Sequence, residues 1–233
     1  MRNAVAIAVV VLCIGGLLGL PRAEGQTYIK PVDGYVSGFG GYSFPQKTDI
    51  ESGGITATDA ELDNSPSYGG KVGIWFTGPR KKLGIDVGLE GDVTSFNPDL
   101  PSGQVLNSNV GLVTPIGLDL HAIYFGIHVL ARLPMGVTSE LPNGRWFPYI
   151  GVGGGGQRLS FQAAGTTQGT DTAPAFQGLG GVKVFLSKHI AVFGEGKFTR
   201  ASHTLDFTGP GGGFSADLTV EAVHGVGGVS FRF

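Results

Sequence analysis

Cysteine is almost absent from this chain of 233 residues, since the only one is Cys13. An intramolecular disulfide and a cysteine metal site are therefore excluded. After the first 25 residues no apolar run is long enough for a transmembrane helix. Positive charge is not in excess either, because 16 lysines and arginines stand against 18 aspartates and glutamates. A nucleic-acid partner would need clustered basic residues, so this class of partner is excluded.

The one long apolar run stands near the N-terminus. Arg2 precedes an uncharged run of 17 residues, Ala4–Leu20, and small residues follow as far as Gly25. This order of features predicts a secretory signal peptide, residues 1–25, that is removed by cleavage. An uncleaved anchor helix is the alternative, although the run is at the short limit for crossing a bilayer. The mature chain is then expected to be a single domain, residues 26–233.

Glycine is abundant, at 42 of 233 residues, and it accompanies short runs in which apolar residues alternate. The last run is the clearest. From Val223 to Phe233 every second residue is apolar or glycine, while His224, Ser230 and Arg232 occupy the other register. This two-residue period predicts a strand with one apolar and one polar face. Such a final strand suits a closed barrel in lipid, where the last strand pairs with the first.

Seven further segments have strand-like patterns. They are Gly34–Phe44, Pro66–Thr77, Leu83–Phe96, a part of Pro115–Leu133, Trp146–Gln162, Ala175–Leu186 and Ile190–Ala201. In the fourth and fifth strands the apolar phase shifts by one residue, which predicts a bulge near Tyr124–Gly126 and a phase change across Gly153–Gly156. The whole set predicts an all-β fold, an eight-stranded antiparallel up-and-down transmembrane β-barrel.

The connections between these strands alternate in length. Long loops are predicted at 45–66, 97–114, 163–174 and 202–218, and shorter turns lie between them. In outer-membrane barrels the short turns are periplasmic and the long loops extracellular. Aromatic residues near both ends of the strands predict two interfacial belts. The periplasmic belt comprises Tyr35, Phe76, Trp146 and Phe231, and the extracellular belt Tyr42, Phe44, Tyr68, Phe96, Phe161, Phe176 and Phe198. A soluble eight-stranded binding barrel is the alternative that alternation alone would allow.

Four segments, VSGFGGYSF, PSYGGKVGIWF, FPYIGVGGG and VFGEGKFTR, resemble successive strands of the small OmpA-like and opacity-type outer-membrane barrels. The ending, with Phe231 and Phe233, resembles the C-terminal assembly signal of such barrels. The resemblance covers nearly the whole mature chain. It implies a monomer in the outer membrane of a Gram-negative-type bacterium, surrounded by lipid and lipopolysaccharide and inserted by the barrel-assembly machinery. The larger members carry a peptidoglycan-binding domain after the barrel, and that anchoring role is not expected here.

The register opposite to the lipid-facing one carries many charged residues. They are Lys71, Asp86, Glu90, Asp92, Arg132, Lys183, Glu195, Lys197 and Arg232. The interior of an eight-stranded barrel is only wide enough to be filled by side chains. Five basic and four acidic residues there predict a salt-bridged network that plugs the barrel, since an unpaired buried charge is unfavourable. A narrow, gated ion path through the same residues is the alternative.

Residues with catalytic potential are few. Ser202, His203 and Asp206 lie near the predicted outer mouth, but alternation places Ser202 and His203 on opposite faces of a strand. The segment also lacks the His-x-Ser order of the lipid A deacylases. His224, with Glu221 nearby, is interpreted as a hydrogen-bonded interior residue. The other candidate pair is His121 and Asp119, on the uncertain fourth strand.

The first long loop carries three carboxylates on one side of an extended segment, at Asp59, Glu61 and Asp63. Hard cations accept such oxygens, but the spacing is not that of an EF-hand, so a solvated acidic loop is predicted. No catalytic residue, cofactor or metal site is predicted. The sequence thus predicts a non-enzymatic outer-membrane barrel with a plugged interior and a structural and surface-interaction role through its loops, with a host or surface ligand left unidentified. A lipid A-modifying enzyme and a narrow channel or carrier for small hydrophobic molecules are the alternatives.

Overall fold

The chain folds into a closed β-barrel. This computed structural model describes residues 31–114, 117–138, 141, 143–163, 168–209 and 212–233. Its strands are β1 (Val32–Pro45), β2 (Thr48–Ser52), β3 (Ile55–Ala60), β4 (Ser65–Phe76), β5 (Asp86–Phe96), β6 (Leu106–Ser108), β7 (Gly111–Val113), β8 (Leu118–Arg132), β9 (Trp146–Ala163), β10 (Gln168–Phe185), β11 (Ile190–Gly209) and β12 (Gly212–Arg232), and a one-turn helix, α1 (Arg80–Leu83), joins β4 to β5. Within the described ranges, no helix has the length and apolar character needed to span a membrane.

Eight long strands form the barrel wall in the order β1, β4, β5, β8, β9, β10, β11 and β12. Every neighbouring pair is antiparallel, and β12 pairs back onto β1 from Tyr35↔Arg232 to Pro45↔Ala222. The predicted eight-stranded antiparallel up-and-down barrel is therefore confirmed. Closure leaves no open sheet edge around the wall, which is what a β-structure needs inside lipid.

Several predicted loops are in fact strands. The predicted loops 163–174 and 202–218 are wrong in their extent, because β10 begins at Gln168 and the β11–β12 hairpin continues to Gly209 and Gly212. β9 to β12 contain 18 to 21 residues each. Crossing the bilayer needs only about 9–11 residues. The wall therefore continues well beyond the membrane on the extracellular side.

The first two predicted loops also contain strands. β2 and β3 lie within 45–66, and β6 and β7 lie within 97–114. These four strands continue the sheet beyond β12 in the order β2, β3, β6, β7. They are attached to the wall through pairs such as Leu218 with Ile50. We call β2, β3, β6 and β7 the outer sheet. It grows from the upper part of β12, near the extracellular mouth.

The predicted bulge near Tyr124–Gly126 and the predicted phase change across Gly153–Gly156 are wrong. β8 and β9 pair without a register shift from Leu118↔Ala163 to Arg132↔Tyr149. Even-numbered residues of β8 point inward along its whole length, from Leu120 near the outer end to Arg132 near the periplasmic end. What reverses is the environment: the lower wall has lipid outside and polar groups inside, whereas the upper wall has water outside and an apolar core inside.

The same reversal occurs in the β11–β12 hairpin. The outward residues of β11 are apolar or glycine from Ile190 to Phe198 and polar from Arg200 to Asp206. In β12 they are polar from Ser215 to Glu221 and apolar or glycine from Val223 to Phe231, and Phe233 continues this apolar set after the strand. Arg200 Nη1 and Glu221 Oε1 form an exposed ion pair at 3.1 Å, just outside the apolar band. We call this level, between Phe198 and Arg200 and between Glu221 and Val223, the polarity boundary.

Above the polarity boundary the barrel encloses an apolar cluster, which we call the outer core. Its buried members are Ala57, Ala60, Leu62, Phe96, Leu100, Leu106, Leu118, Leu120, Ala122, Leu159, Phe161, Leu205, Ala216, Leu218, Val220 and Ala222. Both the barrel wall and the outer sheet contribute. Phe96 and Phe161 point into this core, and Tyr35 points into the lower barrel, so their placement in the lipid-facing belts is wrong. The other eight belt residues are on the outer surface.

Phe233 closes the seam between β1 and β12. Its N–H donates to the Gly34 carbonyl at 3.1 Å. Its ring lies directly over Gly34, where a Cβ atom would come within 2.6 Å of the Phe233 ring. Deleting Phe233 is expected to impair assembly, because the closing strand loses both contacts. The measurement is heat-modifiable migration of the refolded protein, and normal folding of the truncated protein would contradict this role.

Candidate functional site

Five charged side chains meet at the centre of the lower barrel. Lys71 Nζ lies 2.5 Å from Glu195 Oε1, 3.2 Å from Glu90 Oε1 and 3.7 Å from Asp92 Oδ2. Lys197 Nζ lies 2.6 Å from Asp92 Oδ2 and 3.8 Å from Glu195 Oε1. All five are buried, and they come from β4, β5 and β11. We call Lys71, Glu90, Asp92, Glu195 and Lys197 the central network.

Two tyrosines complete the central network, and the sequence analysis missed both. Tyr35 Oη donates to Glu90 Oε2 at 2.5 Å, and Tyr149 Oη donates to Glu195 Oε2 at 2.7 Å. Tyr35 shares its strand register with the inward-facing Ser37, and this polar neighbour was the signal that could have placed it inside. The two hydroxyls provide hydrogen bonds to carboxylate oxygens that are buried away from water.

A second group of charges fills the periplasmic end. Asp86 accepts hydrogen bonds from Arg132 Nε at 2.8 Å and from Arg80 Nη2 at 2.5 Å. Asp33 lies 3.0 Å from Arg132 Nη2 and 3.6 Å from Arg232 Nε. We call these five residues the periplasmic cluster. Arg80 and Asp33 were not predicted, because Arg80 belongs to a turn and Asp33 precedes the predicted first strand.

Lys183 is the predicted interior residue that stands apart. Its Nζ donates to Ser230 Oγ at 3.1 Å and lies 3.9 Å from the centroid of the Tyr35 ring. It makes no ion pair with any described residue, whereas the other eight predicted interior residues each make at least one. The cavity beside it measures about 10 Å³ and is also lined by Lys71 and Glu90. Such a cavity has room for about one water molecule.

The connection between β8 and β9 reaches under the barrel. Leu141 is buried against Phe147, Phe185 and Ala191. The Asn143 carbonyl accepts a hydrogen bond from Arg80 Nη1 at 3.0 Å, which ties this connection to the periplasmic cluster. The unusual length of this turn therefore supplies an apolar side chain to the periplasmic end of the lumen.

The candidate nucleophile Ser202 and the candidate base His203 lie on opposite faces of β11. Ser202 Oγ is hydrogen bonded to Thr219 Oγ1 at 3.0 Å on the outer surface. His203 is buried, and its Nδ1 lies 2.8 Å from Asp171 Oδ2. Asp206 accepts a hydrogen bond from Ser215. The three candidate residues are therefore not assembled into a catalytic set.

The other histidine candidates have different partners. His224 lies between Ser43 Oγ, 2.6 Å from Nδ1, and Thr199 Oγ1, 3.2 Å from Nε2, and its neighbour Glu221 faces outward. His121 Nε2 lies 2.9 Å from Ser95 Oγ, and Asp119 is exposed beside it on β8. His224 is fully buried and has no carboxylate partner among the residues that the structure describes, so this arrangement lacks the acid of a Ser-His-acid triad.

Of the three carboxylates in the first predicted loop, Glu61 makes an ion pair with Lys47, Nζ to Oε1, at 2.7 Å. Lys47 holds the pKa of Glu61 below its ordinary value through this hydrogen bond and its charge. Groups of three or more side chains suitable for a metal ion are absent from the described part of the chain.

His203 gives the extracellular hairpin a dependence on pH. Burial lowers the pKa of His203 below 6.5, and the hydrogen bond to Asp171 offsets this only partly. The unfolded hairpin therefore binds a proton more readily, and folding stability is lost as the pH falls below 6.5. The protection of the β11 and β12 backbone amides against hydrogen exchange, corrected for the effect of pH on the intrinsic exchange rate, is expected to decrease from pH 7.5 to pH 5.5. His203→Gln is expected to reduce this change, and an equal change in both proteins would contradict the assignment.

Comparisons with known proteins identify the fold. Neither a family model nor a curated protein sequence matches the chain. The outer membrane protein OprG from Pseudomonas aeruginosa has a similar structure, with a TM-score of 0.52, 14% sequence identity, and coverage of 86% of this chain and 96% of that chain. Neisserial surface protein A gives a TM-score of 0.46 at 10% identity, covering 88% of this chain and 98% of that chain. The protease OmpT from Escherichia coli gives 0.45 at 8% identity, covering 90% and 99%.

The barrel thus has the fold of the small outer-membrane β-barrels that its strand motifs resemble. The closed eight-stranded wall and the apolar outer surface below the polarity boundary agree with this. The protein therefore has the fold of an outer-membrane β-barrel, and this fold agrees with the predicted location in the outer membrane of a Gram-negative-type bacterium. The likeness to OprG, at 14% identity, shows the fold and leaves the activity to be argued from the residues.

Proposed function

We propose that this outer-membrane β-barrel is a non-enzymatic structural and surface-interaction protein. The observation that carries the proposal is the outer sheet, which stands above the polarity boundary on a filled apolar core. An apolar core beneath a sheet gives it a fixed shape, as in a soluble domain. The barrel in the membrane is then the anchor, and the outer sheet is the part that meets partners.

The packing of the interior supports an anchor rather than a channel. Buried ion pairs fill the middle of the barrel, Leu141 packs at the periplasmic end and the outer core fills the extracellular end. An eight-stranded barrel has no spare width for water beyond such side chains. We therefore expect the protein not to conduct ions.

The exposed residues of the outer sheet support a role in surface contacts. Val110 and Leu112 are 64% and 74% exposed in and beside the β6–β7 turn, and Val105 is equally exposed just before β6. Exposed apolar side chains grouped on a surface are a feature of protein interaction sites. β7 is also an edge strand, with backbone groups free to pair with another chain.

Single-channel recording in planar bilayers tests the anchor role. The refolded mature protein is expected to give no steady conductance, because the central network leaves no water path. Glu195→Gln and Lys197→Gln change charges inside the barrel, so they show whether any measured current passes through the lumen. Steady wild-type conductance that either substitution alters would contradict the proposal, since the interior would then be a pathway.

A cell-surface assay tests the interaction role. Bacteria that display the protein are expected to adhere to one another and to epithelial cells more than bacteria that display a Val110→Ser/Leu112→Ser variant. Val137→Ser, in the periplasmic connection, is the matched control because Val137 is also exposed and apolar. Equal adhesion of wild type and the double variant, at equal surface amounts, would contradict a role for the outer sheet.

A further inference from the structure

The two ends of the barrel carry opposite exposed charge. Each of the three periplasmic connections exposes basic side chains: Lys81 and Lys82 in α1, Arg145 before β9, and Lys188 between β10 and β11. We call these four residues the basic rim. None of them makes an ion pair with a described residue, and the nearby Asp33 and Asp86 are buried in the periplasmic cluster. Glu140, the one acidic residue of the connections, lies outside the described residues.

The extracellular surface has the opposite composition. Its exposed acidic residues are Asp49, Glu51, Asp59, Glu61, Asp63, Asp119, Asp206 and Asp217, whereas its exposed basic residues are Lys47, Arg158 and Arg200. The positive charge of the rim is therefore a local feature, because the formal net charge of the chain is −2. A surface of one sign attracts partners of the other sign.

The basic rim lies at the edge of the lipid-facing band. Lys82 precedes Leu83, which is 68% exposed, and Arg145 precedes Trp146, which is 50% exposed. Lys188 follows the exposed Leu186 by two residues. Exposed apolar residues beside Lys and Arg are the arrangement expected at a membrane interface, where apolar groups enter the lipid and charges reach the headgroups.

We propose that the basic rim binds anionic phospholipid headgroups of the periplasmic leaflet. Two of the connections are short, which favours lipid over the cell wall: α1 is a single turn, and only four residues, Leu186–His189, join β10 to β11. In the longer β8–β9 connection, Arg145 directly precedes the lipid-facing Trp146. The charges are therefore held at the level of the lipid phosphates and do not project into the periplasm. This inference does not depend on the proposed function of the outer sheet.

Trp146 offers a direct reporter for lipid at the rim. It faces the lipid next to Arg145, whereas the other tryptophan, Trp75, is buried inside the barrel against Arg132. In vesicles, Trp146 fluorescence is expected to be quenched by dibrominated phosphatidylglycerol at a lower mole fraction than by dibrominated phosphatidylcholine. A preference of about fivefold corresponds to one basic residue near an anionic surface. High salt is expected to reduce the preference.

The variant Lys81→Gln/Lys82→Gln/Arg145→Gln/Lys188→Gln is expected to abolish the preference and to leave quenching by the zwitterionic lipid unchanged. The matched control is Lys47→Gln/Arg158→Gln/Arg200→Gln, which removes three extracellular charges and is expected to retain the preference. Equal quenching by the two lipids in the wild type would overturn the proposal. So would a preference that survives in the four-residue variant. The proposal would also be overturned if the wild type sedimented with peptidoglycan, the four-residue variant did not, and neither lipid were preferred. The rim would then bind the cell wall.

Discussion

Glu195→Leu is expected to lower the free energy of unfolding by about 3–5 kcal/mol, because it removes one partner of a buried ion pair. Glu195 accepts hydrogen bonds from Lys71 at 2.5 and 2.6 Å and from Tyr149 at 2.7 Å. Without it, two buried lysines share Glu90 and Asp92, and the Tyr149 hydroxyl loses its acceptor. Urea unfolding of the protein in phospholipid vesicles measures the change.

Two further variants test whether the loss of stability comes from breaking a buried ion pair or from the loss of a charge in general. Glu221→Gln removes the partner of Arg200 in an exposed ion pair and is expected to change stability by less than about 1 kcal/mol. Adding Lys71→Met to Glu195→Leu is expected to restore part of the loss, because an apolar pair can replace a buried ion pair. An unchanged unfolding curve for Glu195→Leu would mean that this carboxylate faces water.

Leu159→Asp is expected to destabilise the extracellular half by more than about 4 kcal/mol, because it removes a packed core side chain and buries a carboxylate among apolar groups. Leu159 is fully buried in the outer core, and it follows the glycine run of β9. The loss is expected to appear as proteolysis of the outer sheet and the β11–β12 hairpin, at protease concentrations that leave the wild type intact.

Arg158→Asp is the matched control, one residue earlier on the same strand. Arg158 is exposed, and its substitution is expected to change stability by less than about 0.5 kcal/mol. If β9 changed phase across Gly153–Gly156, Leu159 would face outward and Arg158 inward. Arg158→Asp would then be the destabilising variant, and Leu159→Asp would have little effect. Protease resistance of Leu159→Asp equal to that of the wild type would contradict an apolar core at this level.

The sequence was informative where each strand meets a single environment. From Val223 to Phe233 the outward residues are apolar or glycine, and the inward register carries the polar residues His224, Ser230 and Arg232, so alternation showed both faces. The charged residues of the lower barrel followed from the same logic. Their distances did not, because the pairing of Lys71 with Glu195 depends on how β4 and β11 face each other across the lumen.

The sequence was misleading where one strand crosses between two environments. In β9 the outward Ile150 and Val152 are apolar on one phase, and after the glycine run Leu159 and Phe161 are apolar on the other. A bulge explains such a pattern if the surroundings are constant, but here the strand continues in one register while lipid outside gives way to a protein core inside. Nothing local marks that change, because the outer core forms only when distant segments such as β3 and β6 fold over it.

The predicted long loops differ from the observed strands for a related reason. The segment 202–218 is rich in small and polar residues, yet outward residues such as Thr204 and Asp217 face water while Leu205 and Leu218 face the outer core. A half-exposed antiparallel hairpin tolerates polar residues on its solvated face. The length of the wall therefore could not be inferred from lipid-facing residues alone.

The barrel strands keep one continuous register through a change of environment, and a spin-label scan along β9 tests this register most directly. The only native cysteine is Cys13, in the segment expected to be removed, so single cysteines can be introduced at each position from 148 to 162. Spin labels at even positions are expected to be accessible along the whole strand. Labels at 150 and 152 face lipid and are expected to be accessible to oxygen, whereas labels at 158, 160 and 162 face water and are expected to be accessible to a water-soluble nickel complex. Odd positions are expected to remain protected. A switch of the accessible set from even to odd positions across 153–156 would contradict the account.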